Sequence, residues 1–259
     1  MKLSEKVAVI LLVLFFVAAW GLAGELYEEV FDQSYSLAAG GAVSLDNVNG
    51  DVSIESWDRD EVLVHAVKKA STPELLEQLR VEVESDGNDV RVRTEYPSSR
   101  GWDEDGKHHD RHMSVEYSLT VPRFARIEDI DLVNGNLLIV GVEGGLEAET
   151  VNGEIAVRQS LGPAELETVN GGLEVWFDRL DADHRIELSS VNGRVDLHLA
   201  AGVAARVRAE TVNGSLSNDF DIAVRKGKYV GASFAGSIGG GGAEVDLETV
   251  NGNIKVHAW

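Results

Sequence analysis

LEAETVNGEIAVRQSLGPAELETVNGGLEVWF, residues 146–177, carries the same pattern twice, with the asparagine of a Val-Asn-Gly tripeptide at Asn152 and again at Asn170. In each copy aliphatic residues alternate with polar ones before the tripeptide and alternate again after it. That is the period-two signature of a strand with one wet face, interrupted by a bend. Working outward, Val-Asn-Gly recurs seven times, with asparagines at Asn49, Asn134, Asn152, Asn170, Asn192, Asn213 and Asn251. From Asn134 onward the separations are 18, 18, 22, 21 and 38 residues, the last close to two units with one motif missing. A recurrence at that spacing marks a repeat architecture.

Aligned on the asparagine, the position four before it reads Leu45, Ile130, Ala148, Leu166, Leu188, Ala209 and Leu247. The positions three and five after it read Val52, Leu137, Ile155, Leu173, Val195, Leu216, Ile254 and Ile54, Ile139, Val157, Val175, Leu197, Asn218, Val256. These columns are expected to be buried, so each unit is strand, corner, strand with a common interior for both arms. The structural corner is assigned to Asn49-Gly50, Asn134-Gly135, Asn152-Gly153, Asn170-Gly171, Asn192-Gly193, Asn213-Gly214 and Asn251-Gly252, where glycine supplies the positive φ of a sharp turn. The pattern predicts an all-β fold, a β-solenoid or β-helix-like stack of 18–22-residue repeats with a short helix in the N-terminal half. The alternative is an antiparallel hairpin sandwich in which Asn-Gly is a two-residue turn. Preserved columns favour the stack. They predict an amide ladder of corner asparagines and a hydroxyl ladder of Thr150, Thr168, Ser190, Thr211 and Thr249. An acidic column three before the asparagine, Asp46, Asp131, Glu149, Glu167, Glu210 and Glu248, works against stacking and needs splay, water or a cation to relieve it.

The N-terminal half is less regular. Residues 24–126 read as an irregular β region with strands near 52–54, 62–67, 81–83, 90–94 and 113–121, and a helix over 72–80 capped by Ser71 with Glu74. A mobile loop is expected over 97–112, and a flexible glycine connection over Gly239–Gly242 in place of the missing corner. The regular repeat occupies 127–259, and 24–259 is read as one continuous domain. Ahead of it, Lys2 and Lys6, the apolar run Val7–Ala19 and the small residues around Ala23 predict an export signal over residues 1–23, with an uncleaved membrane anchor as the rival.

Composition narrows the function. The 259 residues hold 44 acidic and 23 basic side chains, a formal charge of −21 that disfavours phosphate backbones and anionic lipid, so nucleic acid is excluded as a partner. There is no cysteine, which removes disulfides, thiolate metal sites and cysteine nucleophiles. With these residues the layout resembles the bacterial putative-adhesin family of β-strand repeat proteins. The segments that carry the likeness are LDNVNGDVSIESWDRDEVLVHAVKKA, SLTVPRFARIEDIDLVNGNLLIVGVEG and the serial ETVNG units. That resemblance implies a solenoid-like fold, an envelope location and no established activity, and it brings no catalytic or ligand residues.

The residues themselves assign no catalytic and no cofactor-binding group, and no cofactor. His108, His109 and His112, with Asp103, Glu104, Asp105 and Asp110 nearby, have metal-ligand composition but sit in the irregular segment, so no metal site is assigned. Asp178, Asp181, Asp183 with His184, or Glu174 beside Trp176, are the carboxylates a polysaccharide-cleaving enzyme would need. Trp57, Trp102, Trp176 and Trp259 are the aromatics a sugar-binding face would use. The reading reached is a non-catalytic exported scaffold, periplasmic or on the cell surface, whose partner is an envelope protein or a surface glycan; the alternative is a carbohydrate-binding or carbohydrate-cleaving β-helix protein. Contact with membrane is expected only through an uncleaved N-terminal segment.

Overall fold

Alternating aliphatic positions need a shared interior, and a computed structural model of the chain shows how they find one. It describes residues 26–97, 112–228 and 230–259. The N-terminal half contains β1 (Tyr27–Ser36), β2 (Ala42–Asn49), β3 (Val52–Trp57), β4 (Glu61–Ala70), α1 (Pro73–Gln78), β5 (Arg80–Ser85), β6 (Asp89–Glu95) and β7 (Met113–Pro122). Then come β8 (Arg126–Asn134), β9 (Leu137–Val140), β10 (Leu146–Asn152), β11 (Ile155–Ser160), β12 (Ala164–Asn170), β13 (Leu173–Phe177), β14 (Arg185–Asn192) and β15 (Val195–Leu199). The chain finishes with β16 (Ala205–Asn213), β17 (Leu216–Asn218), β18 (Arg225–Lys226), β19 (Ala232–Ile238), β20 (Ala243–Asn251) and β21 (Ile254–Ala258).

The described residues are all-β apart from one short helix, and their strands form two large mixed sheets. A leading sheet of eleven strands runs β18-β19-β16-β20-β14-β12-β10-β8-β2-β6-β5 and holds every arm that precedes a corner. A trailing sheet of ten runs β1-β4-β7-β3-β9-β11-β13-β15-β21-β17 and holds every arm that follows one. The two arms of a unit do not bond to each other. Each bonds in parallel to the same arm of the neighbouring unit, as in Ala148↔Leu166 and Asn152↔Asn170 between β10 and β12, or Ile155↔Leu173 between β11 and β13. The Asn-Gly pairs are therefore corners between sheets and not two-residue hairpin turns, contrary to the sandwich alternative in its hairpin form. Among the described residues, antiparallel pairs occur only toward the ends: β1 with β4, β4 with β7, β5 with β6, and β19 with β16 and β18.

The three aliphatic columns meet in a single core cluster to which both sheets contribute. Leu45, Ile130, Leu166, Ile139, Val157, Leu173 and Val175 are all fully buried. Each such side chain stabilises the fold by about 1.5–3 kcal/mol through burial, against the entropy of ordering the chain.

The corner glycines have a different cause from the one the sequence suggests. Of the seven, only Gly50 has a positive φ, at 125°. The others are glycine because the stack is too tight for a side chain: a Cβ on Gly171 would lie 1.8 Å from the carbonyl oxygen of Gly153, and one on Gly193 would lie 1.6 Å from that of Gly171. Those carbonyls are held from the other side as well. Thr168 Oγ1 donates to Gly153 O at 3.1 Å, Ser190 Oγ to Gly171 O at 3.0 Å and Thr249 Oγ1 to Gly193 O at 3.1 Å. The buried hydroxyls thus bond to the backbone of the neighbouring corner and do not form the hydroxyl-to-hydroxyl ladder expected from their alignment. A buried hydroxyl needs a partner, and the exposed carbonyl edge of a glycine corner is the nearest acceptor. In the first unit the same position is Asn47, whose Nδ2 reaches Val115 O at 2.9 Å while its Oδ1 accepts from Thr94 Oγ1 at 3.0 Å.

The 38-residue gap hides no missing corner. The last unit in sequence, β20 and β21, sits between β14 and β16 in one sheet and between β15 and β17 in the other. The order along the stack is therefore Asn49, Asn134, Asn152, Asn170, Asn192, Asn251, Asn213. After β17 the chain wraps the end of the core with Phe220, Ile222 and Val224, and β19 then runs back along the outer edge of β16. Asn218, the polar exception in an aliphatic column, tethers this wrap: its Oδ1 accepts from Phe220 N and Ile222 N, and its Nδ2 donates to Ile222 O. Gly239, Gly240 and Gly241 have φ of 58°, 87° and 87°, and Gly241 N donates to Ile238 O. They form a defined turn that carries the chain across the start of β16, where the sequence reading placed a flexible connection.

At the other end, β1 was invisible to pattern reading. It has few aliphatic residues, and a ten-residue antiparallel register with β4, from Tyr27↔Ala70 to Ser36↔Glu61, makes it a strand. The helix is shorter than the expected 72–80. Thr72, with extended backbone, is the N-cap in place of Ser71 and accepts from Leu75 N at 3.3 Å, and the helix stops at Gln78 because Arg80 already belongs to β5.

Candidate interaction surface

Because successive side chains of a strand point to opposite faces, burying the columns two and four before each asparagine forces those one, three and five before it outward. The valine of every Val-Asn-Gly is therefore on the surface. Val48, Val133, Val151, Val169, Val191, Val250 and Val212 are between 39% and 48% exposed and follow one another up the leading sheet. On one side of this stripe run the corner asparagines, which form the expected amide ladder. Each Nδ2 donates to the Oδ1 of the next residue, Asn134 to Asn49, Asn152 to Asn134, Asn170 to Asn152, Asn192 to Asn170, Asn251 to Asn192 and Asn213 to Asn251, at 2.8–3.0 Å. Asn170→Ala removes one donated and one accepted bond from the middle of this ladder. In so exposed a place it is expected to cost about 1 kcal/mol, read as a fall of a few degrees in melting temperature.

On the other side of the stripe lie two carboxylate columns. In the central units these are Asp131, Glu149 and Glu167 with Asp129, Glu147 and Glu165 beyond them, all exposed. Arginines neutralise carboxylates on the flanking strands and at the start of β8: Arg93 pairs with Asp46, Arg126 with Glu128, Arg185 with Glu187, Arg206 with Glu244 and Arg208 with Glu210. Among the described residues no cation pairs with the six central carboxylates. Partial burial and then the neighbouring carboxylates raise the pKa of Asp131, Glu147 and Glu149 above their ordinary values. A carboxyl whose folded pKa is raised favours the protonated fold, so its contribution to stability is full below the unfolded value, near 4.5 for glutamate, and is lost as pH rises through the folded value. Acidification from pH 7 to about pH 5 is therefore expected to raise the melting temperature. Glu149→Gln should raise it at pH 7 and flatten that rise; an unchanged profile would show that these groups do not sense one another.

The stripe ends in a groove of about 390 Å³ beside the segment between β18 and β19, where Val191, Val250 and Val212 face Val230, with Glu210 and Glu248 at its side. The outer face of the trailing sheet is different. Six residues after the asparagine, Arg158, Trp176, His198 and His257 stack in succession. The Arg158 guanidinium lies 4.8 Å from the Trp176 ring, and the ring centroids of Trp176 and His198 are 4.4 Å apart and those of His198 and His257 4.6 Å. Burial, and then His257, push the pKa of His198 below its ordinary value.

The sequence candidates fare unequally. His108, His109 and Trp102 lie outside the described residues, as does the whole of the N-terminal signal. His112 is exposed, and its carbonyl accepts from Ser71 N. Both faces of Trp176 are taken by Arg158 and His198, which leaves none for a sugar ring. Trp57 has Arg59 over its ring and donates its Nε1 hydrogen to Glu61 O at 2.7 Å. Trp259 is 58% exposed. Asp181 pairs with Arg179 and lies 3.9 Å from His184, while Glu174 faces His198 at 3.8 Å on the trailing sheet. These two carboxylates are thus held apart in separate surface pairs. Sequence reading missed the outward valine stripe and the Arg-Trp-His stack, although strand parity and the column six after the asparagine would have disclosed both.

No family model and no curated protein matches the chain. Solved structures do resemble it. A putative cell adhesion protein from Clostridium sporogenes is 14% identical with a TM-score of 0.48, over 91% of this chain and 100% of that one. A putative adhesin from Bacteroides fragilis is 10% identical with a TM-score of 0.38, over 88% and 97%. A putative lipid binding protein from Parabacteroides distasonis is 11% identical with a TM-score of 0.36, over 92% and 98%.

Proposed function

We propose that this chain is a non-catalytic scaffold of the cell envelope, exported through its N-terminal signal, whose solenoid-like stack holds a partner on the outer face of the leading sheet. The observation that carries the reading is how the repeated residues are used. Inward columns fill the core, hydroxyls and glycines close the corners, and what is left over on the outside is one surface along the leading sheet, with a valine in all seven units and a carboxylate beside it in six. Repetition of that kind builds a long contact face, in the way repeat proteins present extended binding surfaces. Its partner class is an envelope protein or a surface glycan.

The test is to express the full chain with a C-terminal tag in a two-membrane bacterium and fractionate the cells, and to incubate the purified protein with envelope and plant polysaccharides. The expected results are recovery outside the cytoplasm, with the mature chain starting near Gly24, and no release of sugar products. Retention in the cytoplasm would overturn the location. Release of products that a single acidic substitution abolishes would overturn the non-catalytic role.

A further inference from the structure

Resting on that reading, we infer that the valine stripe and the carboxylate columns beside it form a docking face for a cationic amphipathic helix of a partner protein. Three observations select this occupant. The first is spacing. Seven valines on adjacent rungs span about 29 Å at roughly 4.8 Å per rung. A helix laid along the stripe presents its side chains about every 5.4 Å and slips by about 0.6 Å per rung, so it stays within half a rung over about four rungs, whereas an extended chain presents those of one face about every 6.8 Å and falls out of step within two. A helix of about 19 residues covers the whole stripe.

The second is charge. The six central carboxylates lie on one side of the stripe, two and four residues along each strand from its valine, and none of them has a cation of its own among the described residues. Lysine or arginine next to the aliphatic face of a helix would lie over them. A second copy of this chain would bring the same carboxylates and a net charge of −21 against them, and anionic lipid would be repelled in the same way. The third is the stripe itself. Methyl groups offer a polysaccharide no hydrogen bond, yet a line of half-exposed valines is what the aliphatic face of a helix buries. The groove at Val191, Val250, Val212 and Val230 gives such a helix a defined stop at one end.

The experiment titrates the full chain with a fluorescent 19-residue peptide of leucine and lysine patterned as an amphipathic helix. A lysine-serine peptide of equal charge and a leucine-glutamate peptide of equal pattern serve as comparisons. Val151→Thr/Val169→Thr/Val191→Thr keeps β-branched residues in the strands, and it is expected to weaken binding by about tenfold or more. Asp131→Asn/Glu149→Gln/Glu167→Gln should do the same. Asp178→Asn/Asp181→Asn/Asp183→Asn removes the same charge elsewhere and should leave affinity within about twofold. Equal binding of the lysine-serine peptide, equal loss in the third variant, or indifference to the valine changes would each overturn the inference. Should the valine variant not fold, a nitroxide on the peptide decides the matter on the unaltered protein: it must broaden the Val151, Val169 and Val191 methyl resonances and spare those of the trailing sheet. The cell fractionation and the turnover assay do not depend on these titrations, so the docking face and the scaffold reading can fail separately.

Discussion

Gly171→Ala is expected to lower the melting temperature by about 10 °C or more, while the same change at the next residue, Gly172→Ala, leaves it within about 2 °C. Neither glycine has a positive φ, so conformational preference does not separate them. What separates them is the atom a methyl group meets. At Gly171 it is the carbonyl of Gly153, 1.8 Å away from the oxygen and 2.6 Å from the carbon. That carbonyl is fixed by Thr168 and by its place in the stack, so only a displacement of the rung can make room. At Gly172 the nearest atom is the Arg194 Cγ at 3.2 Å, the stem of a flexible, exposed side chain. Overpacking of an unyielding site costs about 1–3 kcal/mol and more where backbone must move, and a chain this long loses roughly 2–4 °C per kcal/mol. Similar melting temperatures for the two variants would mean that the rungs can slide apart and that the corner is not tightly stacked.

Leu166→Ala is expected to have an effect of similar size, about 4–5 kcal/mol by chemical denaturation. Leu166 is fully buried in the middle of its column, and its partner on one side is already Ala148. With two alanines adjacent there is no long side chain on that flank to swing into the space, while Leu188 on the other side is held in its own rung. The range for leucine to alanine is about 2–5 kcal/mol, and the cost rises with the volume that stays empty, so the upper end applies here. A loss nearer 1 kcal/mol would show a core that collapses readily, which is not how a stack in register behaves.

Much of this was legible in the residues. Column identity identified the arms, the buried aliphatics and the asparagine ladder, because a repeat that stacks on itself imposes the same neighbour on every copy. The parallel registers of Ala148 with Leu166 and Leu173 with Val195 place those columns rung on rung. The causes were less legible than the positions. Glycine at a bend suggests left-handed backbone, whereas Gly153, Gly171 and Gly193 are small because a neighbouring carbonyl occupies the place of the methyl, a contact between rungs that no single repeat discloses. Hydroxyl alignment suggested mutual bonding, yet the glycine carbonyls lay closer to hand. The insertion of β20 between β14 and β16 could not be read at all, since columns report which residues share a stack and not the order of the rungs. β1 was hidden for a related reason: its strand state depends on its partner β4 more than on its own side chains. On the surface, parity alone would have exposed the valine stripe, but valine is ordinarily assigned to an interior.

Disulfide cross-linking tests the stacking order most directly, because the chain has no cysteine of its own. Glu187, Asp246 and Arg208 are equivalent positions on β14, β20 and β16, with Glu187 beside Asp246 and Asp246 beside Arg208. Glu187→Cys/Asp246→Cys brings Cα atoms to about 5 Å and should oxidise to an intramolecular disulfide, whereas Glu187→Cys/Arg208→Cys leaves them two rungs, about 10 Å, apart and should stay reduced. Closure of the second pair and not the first would mean that the units stack in the order of the chain, and closure of neither would mean that they do not stack in register.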